Sequence, residues 1–544
     1  MVESPDKPNN ARAAHANVAH AIFAFVVAAW TAFGFGVISS PPTPGEGHDE
    51  FVMIYGHINV VNYQKAGLPL ASSPLATSMR KPHLPFLASA FVHGLHPAGY
   101  ASLLGANFLF ALAWIVAVYL LAARVFDSWI ALVGVCVLLG FHLTHDLAEH
   151  FGNDIPVALF ATLVVALLAD ARGFDRPWRW PVLGVLVGLG LLAKPTLPVY
   201  VAGPALLLAW RVGSLFATSG RRAYLVASIG GLLAAVAILV AVWLPWFARV
   251  FDVIGLHVDD VVSGPGRDFA LFHTIDGDTA PADLAKYLGF AGAAVVAFGT
   301  GAIAWRWRGI ERRTLLAAYL PPLLIFVVVA EAFTRILFPL WFIPVLFAVE
   351  RLRLIANRRA GIVASAALAA TFLALGAANH AGVTPRIWPA RDASNPAYAG
   401  AATAKIVAGA ARRPGDALYV NLVPEDAGPR FYFDILETQA VAAVPYVHVW
   451  DARQKDVGNS IVDDLVARWD EVRYLIVRRP ASEPPVSPDA DIANALARSR
   501  ELLLPGDRAR IVLESMPCPA WAFAGSLVNP PGGAGMRIDV FAAP

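Results

Sequence analysis

The sequence predicts an α-helical, polytopic membrane protein of about 11 spans with a small α/β domain at its C-terminal end. Hydrophobic residues make up 57% of its 544 residues and charged residues only 15%, against about 45–50% and about 25% in soluble domains. Apolar runs long enough to cross a bilayer recur, with short arginine-bearing loops between them. The composition changes after residue 378, where charges and short β-rich runs appear. These observations argue against a soluble enzyme.

The charge balance and the cysteines exclude further classes. Lysine and arginine number 42 against 40 acidic residues, a net charge of +2, so no basic surface field exists to hold a nucleic acid by its phosphates. We therefore expect no nucleic-acid partner. Cys136 and Cys518 are the two cysteines, and their number and separation exclude a disulfide framework and a cysteine zinc site.

Eleven apolar runs are predicted to be membrane spans, because about 20 apolar residues cross the hydrocarbon core. They cover residues 18–38, 100–123, 128–145, 155–171, 181–193, 195–210, 223–247, 285–305, 314–331, 336–350 and 360–378. The first run is longer than a signal-peptide core and lacks a convincing cleavage site, so it is interpreted as an anchor. Lys194-Pro195, between two short runs, predicts a tight break that faces outward.

The arginines predict the orientation. They gather in alternate loops, near residues 124, 172–179, 211–222, 306–313 and 351–359. Cytoplasmic loops carry an excess of lysine and arginine, so these loops and the N-terminus are predicted to be cytoplasmic. We expect the protein to lie in the cytoplasmic membrane.

The loops of opposite parity are predicted to face outward. They are residues 39–99, 145–154, 248–284 and the short turn 331–335. Cytoplasmic and outer loops alternate along the chain only if the apolar stretch 84–97 does not span the membrane. The length of this stretch is typical of an interfacial or re-entrant helix.

The chain thus divides into a transmembrane module, residues 1–378, and an extracytoplasmic segment, residues 379–544. Within the second, β-rich runs at 417–423, 472–477 and 509–513 alternate with helix-like stretches at 459–470 and 489–504. This alternation predicts a small α/β domain.

Two acidic positions stand out at predicted outer helix mouths. Asp49 and Glu50 follow the first span and precede an amphipathic stretch, residues 51–61, predicted to be a helix that lies on the bilayer. The alternative interpretation of Asp49 and Glu50 is an exposed acidic turn that caps the following helix. Asp154 opens a later span, where its alternative is a plain helix N-cap with Pro156 in the first turn.

The order of the motifs resembles the GT-C superfamily of polyprenyl-phosphate-sugar-dependent glycosyltransferases. The resemblance covers residues 18–350, in particular the bacterial branch with protein O-mannosyltransferases, lipid A aminoarabinose transferases and rhizobial galacturonosyltransferases. The motifs are Asp49-Glu50, an amphipathic helix, Arg80-Lys-Pro-His-Leu-Pro-Phe86, Asp154-Ile-Pro156, Gly188-Leu-Gly-Leu-Leu-Ala-Lys-Pro195 and Leu244-Pro-Trp-Phe247.

The resemblance implies roles for these residues. Asp49 corresponds to the loop acid that serves as catalytic base or metal ligand, and Asp154 to the second acidic motif. Lys81-Pro82-His83 matches the lysine-proline motif, and Lys194 matches the lysine of a helix break, here flanked by Ala193 and Pro195. The candidate catalytic residues are Asp49 and Asp154, and the candidate substrate-binding residues are Glu50, Lys81, His83, Lys194, Arg267 and Arg335.

The expected chemistry needs one base and several cations. The leaving group of a lipid-phosphate-linked sugar is a phosphate, so its departure needs cationic stabilisation, whereas the incoming hydroxyl must lose a proton. Lys81, Arg267 and Arg335 are candidates to hold the phosphate. Arg335 could instead pair with Glu331 four residues before it, and Lys81 could extend to lipid headgroups.

Metal use stays open, because members of the superfamily differ in it. Several histidines, among them His57, lie in or near the predicted outer loops, where histidines usually only form hydrogen bonds. Asp49, Asp154 and His57 are the candidate ligands for a divalent cation.

The expected function is an inverting glycosyltransferase that moves a sugar from a polyprenyl-phosphate donor to a lipid, glycan or protein acceptor outside the cytoplasmic membrane. The alternatives are a secondary transporter or lipid flippase, an envelope-assembly platform, and an envelope glycan ligase or polymerase. A transporter would need ionisable residues deep in several spans, whereas those of this chain concentrate in loops and at helix mouths.

Overall fold

The structure of the chain is a computed structural model, and it describes a bundle of helices followed by a β-sheet. The residues described are 7–39, 53–54, 57, 60–61, 84–95, 100–170, 178–194, 196–219, 226, 229–241, 279–303, 309–329, 333–355, 358–381 and the strand residues 418–422, 446–448, 472–480, 522–528 and 536–542.

The N-terminal part of the chain is helical wherever it is described. The helices are α1 (Lys7–Ser39), α2 (Leu84–Leu95), α3 (Tyr100–Val125), α4 (Ser128–Leu139), α5 (His142–Glu149), α6 (Asp154–Ala169), α7 (Arg179–Ala193), α8 (Leu197–Ser219), α9 (Ile229–Ala241), α10 (Thr279–Ile303), α11 (Ile310–Val329), α12 (Phe333–Ile336), α13 (Phe342–Ile355) and α14 (Arg358–His380). A 3₁₀ turn, Phe338–Leu340, joins α12 to α13.

Five helices in the described part of the chain are long and apolar enough to cross a membrane, or six if a bent pair counts as one span. The five are His15–Ser39, Tyr100–Val125, Leu197–Ser214, Leu284–Ile303 and Ala360–His380. Four shorter apolar helices accompany them, namely α2, α6, α7 and α9. The multi-pass membrane character is therefore confirmed, whereas the number of eleven spans stays a prediction.

The structure divides the predicted span at 128–145 into two helices with a bend between them. Helices α4 and α5 form a pair bent by 67°. At the bend, Gly140 packs so tightly on α14 that an added Cβ would lie 2.4 Å from the carbonyl oxygen of Phe372. Helix α5 follows the bend, and Asp146 and Glu149, predicted to be acids of an outer loop, are buried in it.

The core of the bundle lies between α3, α4, α6 and α13, whose apolar side chains form one buried cluster. Around it, large apolar side chains are exposed on the surrounding helices, for example Phe25, Leu206, Phe290 and Val363. Such an apolar exterior is suited to a lipid environment.

Two stretches of the predicted outer loop 39–99 pack on the bundle. Helix α2 has 12 residues, too few to cross a bilayer. This length agrees with the predicted interfacial character of the stretch. In the stretch 51–61, the described residues are helical and buried, namely Met53, Ile54, His57, Val60 and Val61. The apolar face of this stretch therefore packs against protein rather than resting only on lipid.

Three sets of ion pairs join helix ends in loops predicted to be cytoplasmic. The carboxylate of Asp170, directly after α6, pairs with both Arg124 and Arg179. Asp127 accepts hydrogen bonds from the first backbone amides of α4 and pairs with Arg353. An arginine of α11, Arg312, pairs at 2.6 Å with Glu350 of α13.

The C-terminal strands form one mixed, five-stranded sheet of order β2-β1-β3-β5-β4. They are β1 (Leu418–Leu422), β2 (Tyr446–His448), β3 (Val472–Pro480), β4 (Ala522–Val528) and β5 (Met536–Ala542). Strand β1 runs parallel to β2 and β3, whereas β5 is antiparallel to β3 and β4.

The predicted strands at 417–423 and 472–477 coincide with β1 and β3, whereas β2, β4 and β5 were not predicted. The predicted strand 509–513 and the helix-like stretches 459–470 and 489–504 lie outside the described residues. The α/β class of this domain therefore stays a prediction.

Candidate active site

One buried carboxylate lies between two cations at the start of α6. Asp154 is the first residue of this helix. Its Oδ1 accepts a hydrogen bond from Lys194 Nζ at 2.5 Å, and its Oδ2 accepts from Arg335 Nε at 2.9 Å and lies 2.9 Å from Nη2 of the same guanidinium. We call these three residues the Asp154 triad.

Asp154 does not act as a simple helix cap. The residue before it, Asn153, occupies the N-cap position and makes no side-chain capping bond. Pro156 stands in the first turn as predicted, where a missing amide hydrogen costs no helical bond. The carboxylate still benefits from the positive end of the helix, but it pairs with Lys194 and Arg335.

Lys194 reaches the triad because α7 ends beside it. Its backbone is extended (φ −159°, ψ 132°), and its amide closes the helix by donating to the carbonyl of Gly190 at 2.9 Å. Helix α8 starts three residues later, at Leu197. The predicted break at Lys194-Pro195 is thus confirmed, and it directs the lysine side chain to Asp154.

Arg335 belongs to the four-residue helix α12, directly before the 3₁₀ turn. Two buried aromatic side chains bind the backbone of α12. Trp341 Nε1 donates to the carbonyl of Thr334 at 2.7 Å, and Tyr200 Oη donates to the carbonyl of Ile336 at 2.7 Å. The alternative partner of Arg335, Glu331, lies outside the described residues.

The accessible side of the triad is cationic. The side chain of Asp154 is only 3% exposed, whereas those of Lys194 and Arg335 are 19% and 25% exposed. Burial alone would favour the neutral acid, but two adjacent cations favour its ionised form. Within the triad, the partly exposed side chains are the two cations, so an approaching ligand would meet these rather than the carboxylate. Such a surface suits an anion, phosphate in particular.

The structure brings together three of the predicted site residues and leaves the others unplaced. Asp154, Lys194 and Arg335 meet, although none of them is a sequence neighbour of another. The remaining candidates, Asp49, Glu50, Lys81, His83 and Arg267, lie outside the described residues.

Two of the candidate metal ligands, His57 and Asp154, are described by the structure, and neither lies in a cluster of possible metal ligands. His57 is buried, its Nδ1 is 2.8 Å from Ser89 Oγ, and its ring is edge-on to that of His93. Asp154 is engaged by Lys194 and Arg335. Within the described residues, no group of three His, Cys, Asp or Glu side chains is arranged to hold a metal ion.

The sequence interpretation missed Tyr200 and Trp341, the two side chains that bind the turn around Arg335. Each stands in an apolar run, where an aromatic residue is usually core. The one available signal is position, since Tyr200 lies six residues after Lys194 and Trp341 six residues after Arg335.

Comparison with known proteins gives one family match that covers part of the site region. The sequence profile of the family described as dolichyl-phosphate-mannose-protein mannosyltransferase matches residues 80–246, which contain Asp154 and Lys194. Among curated protein sequences, none matches the chain significantly.

Two solved structures share the fold over nearly the full length. ArnT from Cupriavidus metallidurans in the apo state has a TM-score of 0.54 at 14% identity, over 96% of this chain and 98% of that one. The same protein bound to undecaprenyl phosphate has a TM-score of 0.55 at 14% identity, over 96% and 97%. At this identity the match shows the fold alone. The family profile over residues 80–246 and this shared fold make the chain similar to the GT-C superfamily of membrane glycosyltransferases.

Proposed function

We propose that the chain transfers a sugar from a polyprenyl-phosphate donor to a lipid, glycan or protein acceptor at the outer face of the cytoplasmic membrane. The observation that carries the proposal is the Asp154 triad, whose accessible side is cationic at one end of an apolar helix bundle. The crystal structure of ArnT with undecaprenyl phosphate adds support from a protein of the same fold.

The proposed reaction is a single displacement. The acceptor hydroxyl attacks the anomeric carbon as the bond from that carbon to the donor phosphate oxygen breaks, which inverts the configuration. Lys194 and Arg335 stabilise the charge that develops on the departing phosphate. Asp49 takes the proton of the acceptor hydroxyl as general base.

We assign Asp154 to holding the two cations rather than to accepting a proton. Both of its oxygens already face a cation, and a carboxylate so paired is a weak base. It keeps Lys194 and Arg335 side by side despite their mutual repulsion. This assignment replaces the catalytic and metal-binding roles expected of Asp154 from the sequence.

The other predicted residues complete the proposed site. Lys81 and Arg267 would add contacts to the donor phosphate, and Glu50 and His83 would bind the sugar or the acceptor. Their positions in the predicted outer segments support this assignment. The mechanism uses no metal ion, and Asp49 and His57 stay candidates for one.

The function is tested by glycan and lipid analysis of a strain that lacks the gene. We expect mass spectrometry to show the loss of one sugar residue from an envelope glycan, lipid or protein, which would name the donor sugar and the acceptor together. An unchanged envelope would overturn the proposed function.

The strain that lacks the gene also tests the assignment of Asp49 as the general base. Because an amide cannot accept the proton, Asp49→Asn should fail to restore the missing sugar at wild-type protein levels. Glu311→Gln, the same kind of change in the first turn of α11, serves as the control and should restore it. Full restoration by Asp49→Asn would show that Asp49 is not the base.

A further inference from the structure

We propose that Tyr200 is a positioning residue for Arg335, and that its hydroxyl fixes the guanidinium where it can bind the donor phosphate. This inference rests on the proposed function and extends it to a residue outside the predicted site. Tyr200 acts through the backbone of α12.

The first step is the hydrogen bond between α8 and α12. Tyr200 lies in the first turn of α8, is 1% exposed, and donates to the carbonyl of Ile336 at 2.7 Å. Thr196 Oγ1 donates to the same hydroxyl at 3.4 Å. Ile336 directly follows Arg335, so the bond fixes the peptide next to the arginine.

The second step is the matching bond on the other side. Trp341 Nε1 donates to the carbonyl of Thr334 at 2.7 Å, and Thr334 directly precedes Arg335. The carbonyls that flank Arg335 are thus both bound by buried aromatic side chains. A helix of only four residues gains little from its own hydrogen bonds, so its conformation depends on such outside contacts.

The third step connects the two cations. Residues 194–200 supply Lys194 to one oxygen of Asp154, and through Tyr200 they hold the turn whose arginine binds the other oxygen. A single segment therefore sets both cations. Removal of the Tyr200 hydroxyl should therefore weaken phosphate binding at the triad, although Tyr200 itself is buried.

The inference is tested on the purified full-length chain with undecaprenyl phosphate as the probe. Tyr200→Phe removes only the hydroxyl, and we expect equilibrium binding to weaken about fivefold to tenfold, the usual effect of one lost hydrogen bond. The matched control is Tyr119→Phe. Tyr119 is also 1% exposed and its hydroxyl lies 2.8 Å from His20 Nδ1, so this variant should bind the probe like wild type.

A second comparison separates positioning from general stability. In an Arg335→Gln background the residue that Tyr200 positions is gone, so adding Tyr200→Phe should weaken binding no further. A purely structural contribution would instead add to the Arg335→Gln effect. Thermal unfolding of all variants identifies any loss that comes from misfolding.

The possible outcomes distinguish failure of this inference from failure of the proposed function on which it rests. Wild-type binding that Arg335→Gln weakens and Tyr200→Phe leaves unchanged would overturn the inference alone. The same holds if Tyr200→Phe keeps its full effect in the Arg335→Gln background. Failure of the wild-type chain to bind the probe would overturn the proposed donor, and the inference with it.

Discussion

Asp154 and Asp170 stand at the two ends of α6, and each carboxylate pairs with two cations. Their surroundings are alike, since both are buried. They differ in the end of the bundle at which they lie, and only Asp154 belongs to the region proposed to bind the donor. The two positions therefore offer a matched test of the assigned role of Asp154.

We expect Asp154→Asn to lower kcat/KM for sugar transfer on the order of 100-fold, as when one oriented charge partner of a transition state is lost. Without the carboxylate, Lys194 and Arg335 repel each other and leave their positions. Asp170→Asn should lower the thermal unfolding temperature, because two arginines lose a buried partner. Its kcat/KM, measured on the folded fraction, should match that of wild type.

Equal losses of kcat/KM in the two variants would contradict this assignment, since the effect would then be one of stability alone. A normal kcat/KM in Asp154→Asn would contradict it as well.

The members of the triad could be predicted one by one, but their meeting could not. Asp154 and Arg335 are charged residues at the ends of apolar runs, which are rare enough to be noticed, and Lys194 matches the helix-break lysine of the family that the chain resembles. Their separations along the chain are 40 residues to Lys194 and 181 to Arg335, and no local pattern relates such distant residues. Tyr200 has no signal beyond its position six residues after Lys194, because a tyrosine in an apolar helix is usually core.

At the scale of elements, glycines set how closely the helices that carry the site approach one another. In α8, a Cβ added at Gly203 would lie 1.9 Å from the carbonyl oxygen of Ala317 in α11, whereas one at Gly213 would meet nothing within 4 Å. Both glycines lie in the same helix, so comparing the same substitution at the two positions separates the steric effect from the effect of helix propensity.

We expect Gly203→Ala to lower the free energy of unfolding by about 1–3 kcal/mol, the usual cost of inserting a methyl group into a packed interface. Gly213→Ala should leave it unchanged or raise it by up to about 1 kcal/mol, because alanine is the better helix former. Thermal unfolding in detergent measures both. A destabilisation of the same size in both variants would show that packing on α11 is not the cause.

The bend between α4 and α5 illustrates which elements the sequence leaves undetermined. Residues 128–145 are apolar enough to suggest one span, and Gly140 within them is unremarkable in an apolar run. At the bend, Gly140 packs closely on Phe372, which is remote in sequence. Strongly apolar long helices such as α3 and α14 were predictable, because their length and composition suffice.

At the scale of the whole molecule, the ion pairs described in the helical part lie at two ends of an apolar bundle. One end holds the ion pairs of Asp127, Asp170 and Glu350 with arginines, and the other holds the Asp154 triad. The 16 residues of α6 separate the two ends by about 24 Å. The arginine-rich end corresponds to the predicted cytoplasmic side, which would place the triad outside.

We expect cysteine labelling in intact cells to show this orientation. Gly152→Cys lies two residues before Asp154, with open space around it, and should react with a membrane-impermeant maleimide. Trp178→Cys replaces an exposed residue beside Arg179 at the opposite end and should react only after the cells are permeabilised. The background carries Cys518→Ser, while Cys136 stays because it is buried. Labelling of Trp178→Cys alone in intact cells would invert the topology and place the triad, and with it the proposed donor site, on the cytoplasmic side.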